Sequence, residues 1–114
     1  MSLLDNKEEI EKKIINNLKS VFDPEIPVNI YDLGLIYDIG FEMKGNYLYC
    51  NVLMTLTSPA CPVAESLVEQ TKYVTLAVDE VDEVKVNLTF NPPWSKDLMS
   101  EEGREIMEAS GAVI

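Results

Sequence analysis

Cys61 is the residue of this chain whose type and position together point most directly to chemistry. It closes the run Ser58-Pro59-Ala60-Cys61, between an apolar stretch and an amphipathic one. Ser58 fits a helix N-cap and Pro59 the first helical position, which puts Cys61 at the third. The first backbone N–H groups of a helix lack intrahelical partners, and the helix dipole is positive at that end. A thiolate is stabilised there, so the spacing favours nucleophilic or metal-binding use of Cys61. A free cysteine also packs well as a small apolar side chain, and position alone leaves both readings open.

The chain contains no histidine. That excludes Ser-His-Asp and Cys-His catalysis, histidine-based zinc sites and histidine acid–base work. The remaining polar chemistry belongs to carboxylates, hydroxyls and the thiol. Asp23, Glu25 and Asp32 stand in a proline-containing connection, Asp23-Pro24-Glu25-Ile26-Pro27 through Gly34. Asp23 suits a turn before Pro24, and Asp32 suits the cap of a short helical turn. Glu25 has no comparable local task. Trp94, after Pro92 and Pro93, reads either as an apolar anchor or as a wall beside Cys61.

The surrounding elements follow from periodicity. Ile10, Ile14, Leu18 and Phe22 recur every four residues, with Ile15 and Val21 beside them. This predicts a helix that starts at Asp5, paired with Glu8 in a capping-box spacing, and ends near Phe22 ahead of Pro24. The connection 23–34 carries Ile26, Val28, Ile30 and Leu33, too apolar for disorder, and is expected to pack on the domain. Leu35 to Lys44 reads as a strand, Lys44-Gly45-Asn46 as a turn, and Tyr47 to Leu56 as a second, antiparallel strand. On the latter, Leu48, Cys50, Val52, Met54 and Leu56 share one face, which makes Cys50 a core residue.

A second helix is expected from Pro59 to about Val78, with Val63, Leu67, Val74 and Val78 on its inner face and Val68 and Ala77 alongside. The acidic turn Asp79–Glu83 follows, then a half-buried strand in which Val84, Val86, Leu88 and Phe90 alternate with polar residues. Ser100 caps a last helix that carries Ile106 and Met107 and stops near Gly111. Gly103 weakens that helix, since an interior glycine costs about 0.5–1 kcal/mol.

The order is α-β-β-α-β-α, a small mixed sheet with helices packed on it. This is a two-layer α/β sandwich of the α+β type and a single domain over residues 1–114. The helix joining strands two and three makes them parallel.

The formal net charge is -11, with Arg104 as the sole arginine. Phosphate-backbone binding and attachment to anionic membranes need clustered cations, so neither is expected, whereas a basic partner surface is permitted. The N-terminus lacks the basic and apolar regions of a signal peptide and no apolar run reaches membrane-spanning length, so a cytoplasmic protein is expected, and its reducing compartment argues against a structural disulfide between Cys50 and Cys61.

Four segments taken together, Asp23-Pro24-Glu25-Ile26-Pro27, Asn29 to Tyr37, Thr55 to Pro62, and Pro92-Pro93-Trp94-Ser95 with Met99-Ser100, resemble the SufT/PaaD-like family of iron–sulfur assembly domains, shared with eukaryotic cytosolic iron–sulfur targeting adaptors. The resemblance covers nearly the whole chain. It implies a non-enzymatic iron–sulfur assembly or targeting factor, commonly a homodimer, that works with the assembly machinery and client apoproteins. It makes Cys61 the functional thiolate, with Asp23 and Glu25 close to it and Thr57, Ser58 and Trp94 as further candidate neighbours.

A cluster normally takes four thiolates, and one chain offers at most Cys61 beside a core Cys50. The options are two Cys61 residues across a dimer with outside thiols, transient holding of a cluster, adaptor work without one, or an Fe or Zn ion held transiently by Cys61 with Asp23 or Glu25. No cofactor bound tightly to the monomer is expected. The alternatives are maturation or accessory work for a phenylacetyl-CoA-type ring oxygenase, and a peroxiredoxin-like thiol enzyme. For the latter, the family's proline is replaced by Met54 and the sole arginine is remote in sequence.

Overall fold

The computed structural model describes residues 6–22, 27–57 and 64–110. Asp5, Asp23, Glu25, Ile26, Ser58, Pro59, Cys61, Val63 and Gly111 lie outside them, as do the expectations that rest on those residues. The elements are α1 (Lys7–Leu18), β1 (Ile36–Lys44), β2 (Tyr47–Met54), α2 (Ala64–Leu76), β3 (Glu83–Leu88) and α3 (Glu101–Ser110), with a 3-10 turn at Lys96–Leu98 before α3. The sheet order is β1-β2-β3. β1 and β2 are antiparallel, while β2 and β3 are parallel. The expected α+β architecture and the parallel crossover are both present.

Gly45 makes the hairpin possible. It takes φ 63 in a two-residue loop between the paired residues Lys44 and Tyr47, and glycine reaches that conformation without steric cost. From there β2 alternates strictly. Leu48, Cys50, Val52 and Met54 are buried, while Tyr47, Asn51 and Leu53 are exposed. Leu48, Cys50 and Val52 meet Ile10, Ile14 and Leu18 of α1 and Leu67 of α2 in one core. α1 and α2 are also tied directly, since the Asn17 Nδ2–H donates to the Val74 carbonyl at 2.8 Å. At one end of the sheet Asp82 brackets the start of β2: its carboxylate accepts from the Leu48 N–H at 2.7 Å, and its own N–H donates to the Leu48 carbonyl at 3.0 Å.

Four expectations need correction. First, α1 ends at Leu18, and Phe22 is 49% exposed. The N–H groups of Ser20 and Val21 turn back to the carbonyls of Asn17 and Leu18, so the chain leaves the helical path, and Phe22 instead forms an isolated bridge with Asn29. Second, the inner face of α2 includes Thr71 and Thr75. Their hydroxyls donate to the Leu67 and Thr71 carbonyls at 2.7 and 2.8 Å, which satisfies them locally and allows burial.

Third, β3 is only partly covered. Val84 is buried and Val86 half-buried, but Leu88 and Phe90 are open. Fourth, Gly103 is required by α3 rather than being a defect in it. A Cβ there would lie 2.8 Å from the Asp32 carbonyl oxygen, so only glycine lets the helix come this close.

Candidate functional site

The topology brings three chain ends to one end of the sheet. β2 runs out there toward Thr57. The parallel β3 ends beside it, and the antiparallel β1 begins there. Hydrogen bonds continue past the strands: the Thr55 N–H donates to the Leu35 carbonyl at 2.8 Å, and the Thr89 N–H donates to the Met54 carbonyl at 2.9 Å. Met54, Thr55 and Leu56 are all buried, so this stretch is enclosed on both faces, and Thr57 is half-buried. It is the root of the segment that carries Cys61.

The neighbouring connection is ordered where it is described, with Val28, Ile30 and Leu33 buried as expected. Residues 29–34 form a helical turn closed by the Leu33 N–H to the Asn29 carbonyl at 2.9 Å and the Gly34 N–H to the Tyr31 carbonyl at 3.0 Å. Asn29, not Asp32, caps this turn. Its Oδ1 accepts from the Asp32 N–H at 2.8 Å, and its Nδ2–H donates back to Asp32 Oδ2 at 2.7 Å.

Asp32 is buried and spends its other oxygens on α3. The Ser100 hydroxyl donates to Asp32 Oδ1 at 2.8 Å, and the Ser100 N–H donates to the Asp32 carbonyl at 2.9 Å. Ser100 Oγ in turn accepts from the Gly103 N–H at 3.0 Å, which is the N-cap read from the sequence. Gly34 completes the junction with φ 82, packed so closely on Leu98 that a Cβ would collide with its carbonyl oxygen.

Trp94 is anchored at the same turn. Its Nε1–H donates to the Leu33 carbonyl at 2.6 Å, and its ring packs against the core. The anchor reading therefore holds. The Tyr37 hydroxyl, donating to the Pro92 carbonyl at 2.7 Å, fixes the segment leading to Trp94.

Of the sequence-predicted site residues, Thr57 and Trp94 are described. Cys61, Asp23, Glu25 and Ser58 lie outside the described residues. The sequence alone does not mark Asn29, Gly34, Ser100 and Gly103 as one junction supporting the site. The Asn29-x-x-Asp32 spacing, an amide and a carboxylate one turn apart, was the available signal.

Cys50 is 1% exposed. Burial pushes its thiol up to about 12, and the negative charge of Glu11 adds to the shift. It stays protonated at neutral pH, and its burial keeps it out of reach of a metal or cluster at the surface. Among the described residues, no three metal-ligating side chains gather, and no helix is long and apolar enough to cross a membrane.

Comparison with known proteins gives consistent results. A family model described as an iron-sulfur cluster assembly protein matches residues 11–88. A relative from Porphyromonas gingivalis named as an Fe-S protein maturation auxiliary factor is 48% identical, over 81% of this chain and 85% of its own length. The Fe-S protein maturation auxiliary factor SufT of Staphylococcus aureus is 40% identical, over 70% of this chain and 88% of its own. Among solved structures, a domain of unknown function from Bacillus anthracis superposes with a TM-score of 0.79 at 40% identity, covering 89% of this chain and 93% of that one.

Proposed function

The chain belongs to the iron-sulfur cluster assembly protein family, and we propose that it is an auxiliary maturation factor for iron–sulfur proteins that acts through one thiolate, Cys61. The names of its relatives support this reading over the ring-oxygenase and peroxiredoxin-like alternatives. The observation that carries the mechanism is the exclusion of Cys50. With that thiol buried in the core, each chain has at most a single accessible cysteine to offer. Four thiolates normally hold a cluster, so the remaining ligands come from outside the chain: a second copy, the assembly machinery or the client.

The cluster is cargo in this scheme. Cys61 contacts it, or an iron ion, in passing, and Asp23 and Glu25 supply oxygen ligands or hold the thiolate in place. The buried 54–56 stretch precedes the Cys61 segment in sequence, and the Asn29–Asp32 turn follows the Asp23–Glu25 segment. The protein works as a homodimer in the cytoplasm, where thiols remain reduced, and turns over no substrate.

The test is complementation of a strain lacking its own factor, read as iron–sulfur dehydratase activity. Cys61→Ser should fail to restore activity at normal protein level and unchanged circular dichroism, while Cys50→Ala should restore it. Full restoration by Cys61→Ser would overturn the thiolate mechanism.

A further inference from the structure

The apolar pattern of β3 remains unfinished at one place. Leu88 is aligned with the fully buried Met54 in the parallel ladder and continues the row that begins at buried Val84, yet it is 42% exposed. Beside it, the first turns of α2 leave a groove of about 420 Å³ lined by Ala64, Glu65, Val68, Glu69 and Leu88. Its apolar wall is Ala64, Val68 and Leu88.

Among the described residues its charge is one-signed. Glu65 and Glu69 are four residues apart on α2, a like-charge spacing that destabilises a helix by itself. The ion pair among the described residues joins Lys13 to Glu80 and involves neither carboxylate. A cation entering the groove would turn this repulsion into attraction, and the net charge of -11 disfavours an acidic visitor. Ala64, a wall of the groove, directly follows the segment that bears Cys61.

We propose that this groove docks a client segment in which an apolar side chain stands next to lysine or arginine, the apolar group covering Leu88 and Val68 and the cation meeting Glu65 and Glu69. The assignment of a client as occupant rests on the maturation function above. Docking there would hold the client on the protein while its cluster is delivered.

The test is a titration followed by backbone amide NMR shifts, using the acetylated, amidated peptide Gly-Lys-Leu-Val-Lys-Gly. Two control peptides replace either both lysines with glutamate or Leu-Val with Ser-Ser. Shifts should centre on Ala64, Val68 and Leu88 with the parent peptide alone. The double variant Glu65→Gln/Glu69→Gln should weaken binding about tenfold, and Leu88→Ser should weaken it at least as much, with its folded spectrum intact. Equal binding of the Ser-Ser peptide, shifts centred elsewhere, or shifts at these residues that follow protein concentration without peptide, as a self-association surface would give, would each overturn the proposal.

Cys61→Ser should leave the titration unchanged, which separates docking from the thiolate mechanism. In complementation, the Glu65→Gln/Glu69→Gln variant should lower dehydratase activity several-fold with Cys61 intact, and wild-type activity would remove the client as occupant.

Discussion

The Ser100 hydroxyl donates to the buried Asp32 carboxylate at 2.8 Å, joining residues 68 apart in sequence. This bond ties the start of α3 to the turn that precedes β1. Asp32 Oδ2 is held by Asn29 at the same time, so both carboxylate oxygens have partners. Asp32→Asn should set its new amide donor against one of these donors. We expect a loss of about 1–3 kcal/mol, the range for a buried donor or acceptor left unpaired. Ser100→Ala removes the same bond together with a helix cap, for about 1–2 kcal/mol. Because the two share one bond, the double variant should lose less than the sum. Urea unfolding of the three variants measures this, and strict additivity would count against the coupling.

Gly103→Ala sets two effects against each other. Alanine favours a helix interior by about 1 kcal/mol over glycine. The new Cβ, however, would meet the Asp32 carbonyl oxygen at 2.8 Å. That carbonyl belongs to a backbone turn pinned on two sides and cannot retreat cheaply. Overpacking of this kind typically costs about 1–3 kcal/mol, so the variant should be less stable than wild type. A higher urea midpoint would show that α3 shifts freely.

The elements themselves were legible because their signals are local. Period-two alternation marked β2 with the right inward face, and the α2 crossover dictated its parallel pairing with β3. What escaped was tertiary. Phe22 continues the i, i+4 spacing of α1, but the chain had already turned at Lys19. Thr71 and Thr75 look like surface residues until their hydroxyls are seen to bond within α2. Leu88 alternates correctly, yet alternation cannot say where the covering helix stops. Gly103 looks like a flaw until Asp32 lies against it. At the site, the single-thiol argument was available from Cys50 on the inner face of β2, and Trp94 was readable as an anchor. Its partner, the Leu33 carbonyl, was not, because nothing in the sequence sets a distant indole against one particular carbonyl.

Trp94→Phe should separate the two contributions of that side chain. Phenylalanine keeps most of the apolar contact but loses the 2.6 Å hydrogen bond to the Leu33 carbonyl. The expected loss is about 1 kcal/mol, a typical net value for such a bond, with Trp94→Ala costing clearly more. Thermal unfolding of both variants tests the order, and equal losses would mean that packing contributes little at this position.

Cys50 predicts an alkaline signature. Its ordinary value is near 9.0, and in the folded chain it is pushed up to about 12. Between those values the unfolded chain has released the thiol proton while the folded chain retains it. The unfolded state then binds fewer protons, so stability falls as pH rises, and the contribution is fully present below about pH 9. For one group the slope is about 1.4 kcal/mol per pH unit. Lysines and tyrosines titrate in the same region, so the comparison must be with a variant that removes the thiol and keeps the position apolar. Cys50→Val does both. From about pH 8 to about pH 10.5, wild type should lose about 2 kcal/mol more unfolding free energy than Cys50→Val, by the same slope. Parallel pH profiles would show that the thiol ionises as readily in the core as in water.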